Sequence, residues 1–129
     1  MVIKKYKPEH YGDLVRLLIT QSAHIPPTEE TPKYGFMAFD DDKAIASCFL
    51  RRVEGGYGQI DGLVVDKTIA KCLKRQAIDT VIKKCRDKAK SLRMKGVLAF
   101  CQSDRTIVTA LSHGFVQLPH TMLGLNVKG

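Results

Sequence analysis

Residues 62–78, GLVVDKTIAKCLKRQAI, run from a β-branched segment through Asp66 and Lys67 into a basic helical pattern. A strand that leads directly into a helix leaves backbone N–H groups free at the helix start, where the helix dipole also favours negative charge. The chemistry expected there is the holding of an anion, with Lys67, Lys71, Lys74 and Arg75 supplying charge. Loops that cradle phosphates usually contain glycine so that the backbone can approach the ligand. No glycine occurs between Val64 and Ala77.

Upstream on the same strand, Asp61 has two readings. As a general base it needs a pKa raised by partial burial, which a cleft between parting strands provides; otherwise it is a solvent-facing residue after the GGYGQ turn. Ser103, Asp104 and Arg105 either bind a ligand at a helix start or form an ordinary N-cap. Cys101 follows an apolar strand, and with no histidine close in sequence to activate it, core packing is the better reading. The four histidines stand in separate elements and suggest no metal site; His24 lies in a Pro-rich loop.

These residues require a folded scaffold, and 129 residues suffice for one domain with one core. With 44% hydrophobic and 26% charged residues, the composition is that of a soluble globular protein. Apolar runs such as VLAFC fall well short of the roughly 20 residues of a spanning helix, and residues 1–8 read as a basic strand, not a leader peptide. The four cysteines have neither C-x-x-C pairs nor histidines at ligand spacing. Each sits in an apolar pattern, so reduced thiols in a cytosolic, cytoplasmic setting are expected. A net charge of +8 suits an acidic partner, whether nucleic acid, protein or a phosphorylated small molecule.

The pattern predicts a strand at 2–6, a helix opened by Pro8, a Pro-rich loop over 22–33, and a hairpin of YGFMAF and KAIASCFLRR around an acidic turn. EGGYG then leads to a strand over 59–65. A helix over 68–92 is expected to bury Leu73, Ala77, Ile78, Val81, Ile82, Cys85, Ala89 and Leu92. Lys95-Gly96 reads as its stop signal, VLAFC as a strand buried on both faces, and 103–114 as a short helix with Ile107, Val108, Ala110 and Leu111 inward. Two more short strands are expected around Pro119. The order predicts an α/β (α+β) domain: a mixed central sheet, an antiparallel N-terminal meander, a parallel switch after the fourth strand, and helices on both faces.

This order resembles the GCN5-related N-acetyltransferase (GNAT) superfamily over almost the whole chain. The phrases that carry the resemblance are Leu63-Val64-Val65-Asp66 before the long helix, SDRTIVTALSHGFV at 103–116, and KAIASCFL after the acidic turn. The resemblance implies an acetyl-coenzyme A or other acyl-coenzyme A co-substrate, contacts from Val64, Val65 and Ser103, and a small-molecule or peptide amine as acceptor. Asp61 falls where many members carry a Glu that takes a proton from the amine. The family's Arg/Gln-x-x-Gly-x-Gly/Ala loop falls on Ala70, Leu73 and Arg75, which do not match it. Leu73 or Arg75 would obstruct a diphosphate, while Lys67, Lys71, Lys74 and Arg75 offer substitute charge. The family's proton-donating Tyr falls on Ala110. An N-acyltransferase is therefore one expectation. A non-catalytic binding or structural member, of the kind found in bacteriophage virions or associated non-specifically with nucleic acid, is the other.

Overall fold

The computed structural model describes residues 1–128. Strand β1 (Val2–Lys5) is followed by a 3-10 turn at Pro8–His10 that runs into α1 (Tyr11–Thr20). A second 3-10 turn, Thr28–Glu30, precedes β2 (Tyr34–Asp40), β3 (Lys43–Val53) and β4 (Tyr57–Val65). Helix α2 (Lys71–Ser91), β5 (Gly96–Leu98) and α3 (Asp104–Ser112) complete the order. The sheet order is β1-β2-β3-β4-β5, antiparallel as far as β4 and parallel between β4 and β5. The mixed sheet, the meander and the switch after the fourth strand are therefore as predicted.

Local chemistry explains the turns. Asp41 and Asp42, both at positive φ (48° and 62°), close the β2–β3 hairpin in a geometry that matches strand twist and that Asp tolerates better than most residues. The predicted stripe of α2 is buried or half-buried, and Ala77, Val81, Ile82, Cys85 and Ala89 pack on Ala38, Cys48 and Leu50 of one sheet face. On the other face Leu14 and Leu18 of α1 cover Met37, Phe39 and Phe49.

All three helices end alike. Ser22, Arg93 and Gly114 adopt positive φ (51°, 57° and 90°). The following N–H groups of Ala23, Met94 and Phe115 donate to Leu18, Ala89 and Ala110 carbonyls, closing Schellman motifs. The stop of α2 thus lies at Arg93, not at Lys95-Gly96. A left-handed conformation costs a residue with a Cβ about 1 kcal/mol, so Arg93→Gly should raise stability by about that amount in urea titration.

Phe49 organises the sheet beneath the site. A Cβ on Gly35 of β2 would collide with the Phe49 ring, and one on Gly62 of β4 would come within 3.0 Å of it. Tyr6 meets the same ring edge-on, with centroids 5.0 Å apart. The two glycines therefore make room on both neighbouring strands for one buried aromatic.

The C-terminal third departs from expectation. Only Gly96–Leu98 of the VLAFC region is a strand, its residues are half-buried, and Phe100 is exposed. Residues 115–128 form no strand, and Leu123 and Leu125 are 89% and 87% exposed. Val108 and Leu111 of α3 are also exposed, whereas Ile107 and Ala110 are half-buried.

Candidate functional site

Strands β4 and β5 pair only through Tyr57↔Gly96, Gly58↔Val97 and Gln59↔Leu98, whereas β4 continues to Val65. Beyond Gln59 the strands part, and residues 60–65 of β4 keep a free edge among the described residues. A bulge lies within this stretch. Phe49 faces Asp61 and Ser47 faces Val64, so Gly62 and Leu63 together oppose Cys48. Gly62 has φ 60°, and the buried Ser47 hydroxyl donates to its carbonyl at 2.9 Å. Such a bulge bends the strand and increases its twist. The sequence carries one signal for it, a glycine inside an apolar strand.

Asp61 sits beside the bulge and is neither buried nor free. Arg51 Nε and Nη2 donate to its Oδ2 at 3.2 and 2.9 Å, with both side chains nearly half exposed. Oδ1 has no partner among the described residues. The Arg51 contact was not foreseen from sequence. It follows from the hairpin register, which pairs Arg51 with Gln59 and leaves Asp61 on the diagonal.

At the far end of β4, Asp66 is buried and fixes the path into α2. Its N–H donates to the Ile45 carbonyl at 2.7 Å. Its Oδ1 accepts the Thr68 N–H and hydroxyl at 2.8 and 2.7 Å, and Lys43 Nζ lies 3.2 Å from Oδ2. The Thr68 hydrogen bonds, helped by Lys43, hold this carboxyl below its ordinary value despite burial. The detour through Thr68 delays the helix to Lys71.

Ala70 at the start of α2 provides no side-chain cap, and the first turn contains no acidic residue. Intrahelical bonding begins with Lys74 N–H to the Ala70 carbonyl at 2.9 Å, which leaves the N–H groups of Lys71, Cys72 and Leu73 without helical partners. Lys67, Lys71 and Arg75 are exposed and Lys74 half-buried. Leu73 packs against the core. Of the two side chains expected to obstruct a diphosphate, Leu73 is thus drawn inward and Arg75 stays exposed. Val64 packs with the α1 cluster and Val65 with the α2 cluster, so their side chains brace both faces of the strand.

Ser103 is the N-cap of α3: its Oγ accepts the Thr106 N–H at 3.3 Å and lies 2.9 Å from Thr106 Oγ1. His113 at the other end of α3 is bonded through Nε2 to Asp79 of α2 at 2.8 Å, a contact that ties the two helices together. Cys48 and Cys85 are buried, and the neighbouring Cys85, then burial, push the Cys48 thiol well up. Cys101 is half-buried. Cys72 is exposed, contrary to the expectation that every cysteine lies in an apolar environment. Among the described residues no group of His, Cys, Asp and Glu could hold a metal, and no helix is long and apolar enough to cross a membrane.

An open groove of about 690 Å³ lies where the turn before β2 meets the end of β3. Glu29, Glu30 and Lys33 line it from the turn, Tyr34 and Leu50 from paired strand positions, and Arg51 and Arg52 from β3. Thr31 also lines it, beside the buried Tyr6 hydroxyl, which has no partner at hydrogen-bonding geometry. Burial pushes the Tyr6 phenol up, and the nearby Thr31 hydroxyl opposes this only in part.

No protein-family model matches the sequence, and no curated protein matches it. Solved structures do match. A GNAT-family acetyltransferase from Streptococcus pneumoniae superposes with a TM-score of 0.77 at 16% identity, covering 98% of each chain. An aminoglycoside 6'-N-acetyltransferase from Acinetobacter haemolyticus gives 0.72 at 16% identity, again over 98% of each chain. A Mycobacterium tuberculosis protein solved in complex with coenzyme A gives 0.76 at 14% identity, over 96% of this chain and 76% of that one. A mixed sheet that parts after the fourth strand, a bulge in that strand and an uncapped helix behind it accompany this likeness: the chain has the GNAT acetyltransferase fold.

Proposed function

We propose that the chain binds an acyl-coenzyme A along the free edge of β4 and transfers its acyl group to an amine. The observation that carries this reading is the parting of β4 from β5, which leads an unpaired strand edge to an uncapped, basic helix start. The residues present suit a diphosphate: three free N–H groups, the dipole of a 21-residue helix, and Lys67, Lys71, Lys74 and Arg75 around them. Val65 offers backbone groups on the free edge, since Asp66 N–H and, by alternation, the Val64 groups face β3; Ser103 offers a hydroxyl oxygen at the start of α3.

The bound co-substrate supplies a thioester carbonyl, the electrophile for an amine. Asp61 Oδ1, the oxygen that Arg51 leaves free, receives the amine proton directly or through one water. Arg51 orients that carboxylate by its two bonds to Oδ2. Ala110 carries no proton, so the leaving thiolate takes one from water.

Calorimetric titration of acetyl-coenzyme A tests the binding step. At a hundredfold excess over Kd it should stabilise the protein by about 2.7 kcal/mol. Lys71→Ala combined with Lys74→Ala should weaken binding, more so at low salt. No heat and no thermal shift at millimolar ligand would overturn the reading. Asp61→Asn should lower turnover by roughly a hundredfold while leaving coenzyme affinity unchanged.

A further inference from the structure

The groove between the 28–30 turn and the end of β3 carries opposite charges that do not neutralise one another. Glu29 and Glu30 are exposed on the turn, and Arg52 is exposed on the strand. Among the described residues none of these three forms an ion pair or a side-chain hydrogen bond, although all line one groove. Lys33 also lines the groove, and its ammonium group stands 5.5 Å from the centre of the lining Tyr34 ring. The groove's volume of about 690 Å³ is that of a small-molecule site.

We infer that this groove holds the zwitterionic head of an α-amino acid that bears a second amine on its side chain. The carboxylate meets Arg52 and Lys33, and the α-ammonium meets Glu29 and Glu30. Arg51 both lines the groove and bonds Asp61 at 2.9 Å, so one residue links the groove to the proposed base. An α-ammonium paired with carboxylates stays protonated and is no nucleophile, which leaves the side-chain amine to react. This inference rests on the acyl-transfer reading and adds the class of acceptor. In the step the side-chain nitrogen, reacting as its free amine, forms a bond to the thioester carbonyl carbon and the C–S bond breaks. The nitrogen's proton passes to Asp61, and the sulfur keeps the bonding pair and is protonated by water.

The test is calorimetry of the full chain with three probes and no coenzyme: L-lysine, cadaverine (which lacks the carboxylate) and 6-aminohexanoate (which lacks the α-amine). L-lysine should bind, and each truncated probe should bind about tenfold more weakly, the loss expected for one charge-assisted contact. Arg52→Gln should abolish the preference for L-lysine over cadaverine, and Glu29→Gln with Glu30→Gln the preference over 6-aminohexanoate. Equal affinity for all three probes, or preferences unchanged in these surface variants, would overturn the inference. So would failure of L-lysine to bind in a preparation that binds acetyl-coenzyme A. Acetyl-coenzyme A binding, measured on the same sample, reports separately on the acyl-transfer reading.

Discussion

Asp66→Ala is expected to destabilise the protein by about 2–4 kcal/mol, read from the urea midpoint, through loss of charge-assisted bonds and an orphaned Thr68 N–H. Two of those bonds are short, at 2.7 and 2.8 Å, and the carboxylate is buried. Lys43, 58% exposed at its side chain, adds little. The pH dependence has a definite sign. The folded carboxyl is held below its ordinary value, so its stabilisation is complete above the unfolded pKa of about 3.9 and declines as pH falls through the lower folded pKa. The stability gap between the parent protein and Asp66→Asn should be constant near neutrality and shrink below about pH 4. A gap that widened with acid would disprove the assignment. Because Asp66 ties the end of β4 to the approach to α2, its loss should also weaken coenzyme binding.

Gly35→Ala should cost about 1–3 kcal/mol, the usual effect of overpacking a filled core. The added methyl would strike the Phe49 ring, which is buried on three sides by Tyr6, Gly35 and Gly62 and has no open space into which to retreat. Gly12→Ala is the control. It adds the same methyl in α1 where nothing lies within 4 Å, and should stabilise by about 0.5–1 kcal/mol through helix propensity. Urea titration of the pair should show opposite signs. Equal small effects would mean that Phe49 is not held between the strands.

The parts of the fold legible in the sequence are those where local period and tertiary burial agree. Helix α2 announces itself because Ala77, Val81, Cys85 and Ala89 recur on one face and that face meets the sheet. The hairpin at Asp41-Asp42 is legible for a similar reason, since turn chemistry and alternation point the same way. The apolar tail forms no strand because alternation specifies one only where a partner edge exists, and β propensity depends on that context. Val108 and Leu111, expected inward, are exposed. In the candidate site, the place of Asp61 on β4 and of the basic residues 67–75 at the approach to α2 follows from the local pattern. The Arg51–Asp61 pair depends on strand register, which no short window contains. Asp66 and Thr68 lay within reach, since Asp two residues before Thr is a known local turn pattern.

The bulge at Gly62 has a further effect. Along residues 60–65 a strand in the interior of the sheet order behaves as an edge, with backbone donors and acceptors that another chain could template upon. An untwisted open edge of Leu63, Val64 and Val65 would invite accretion of foreign strands. The twist forced by Gly62, pinned by Ser47 at 2.9 Å, makes that edge a poor template. The distortion within the open edge thus protects it against polymerisation.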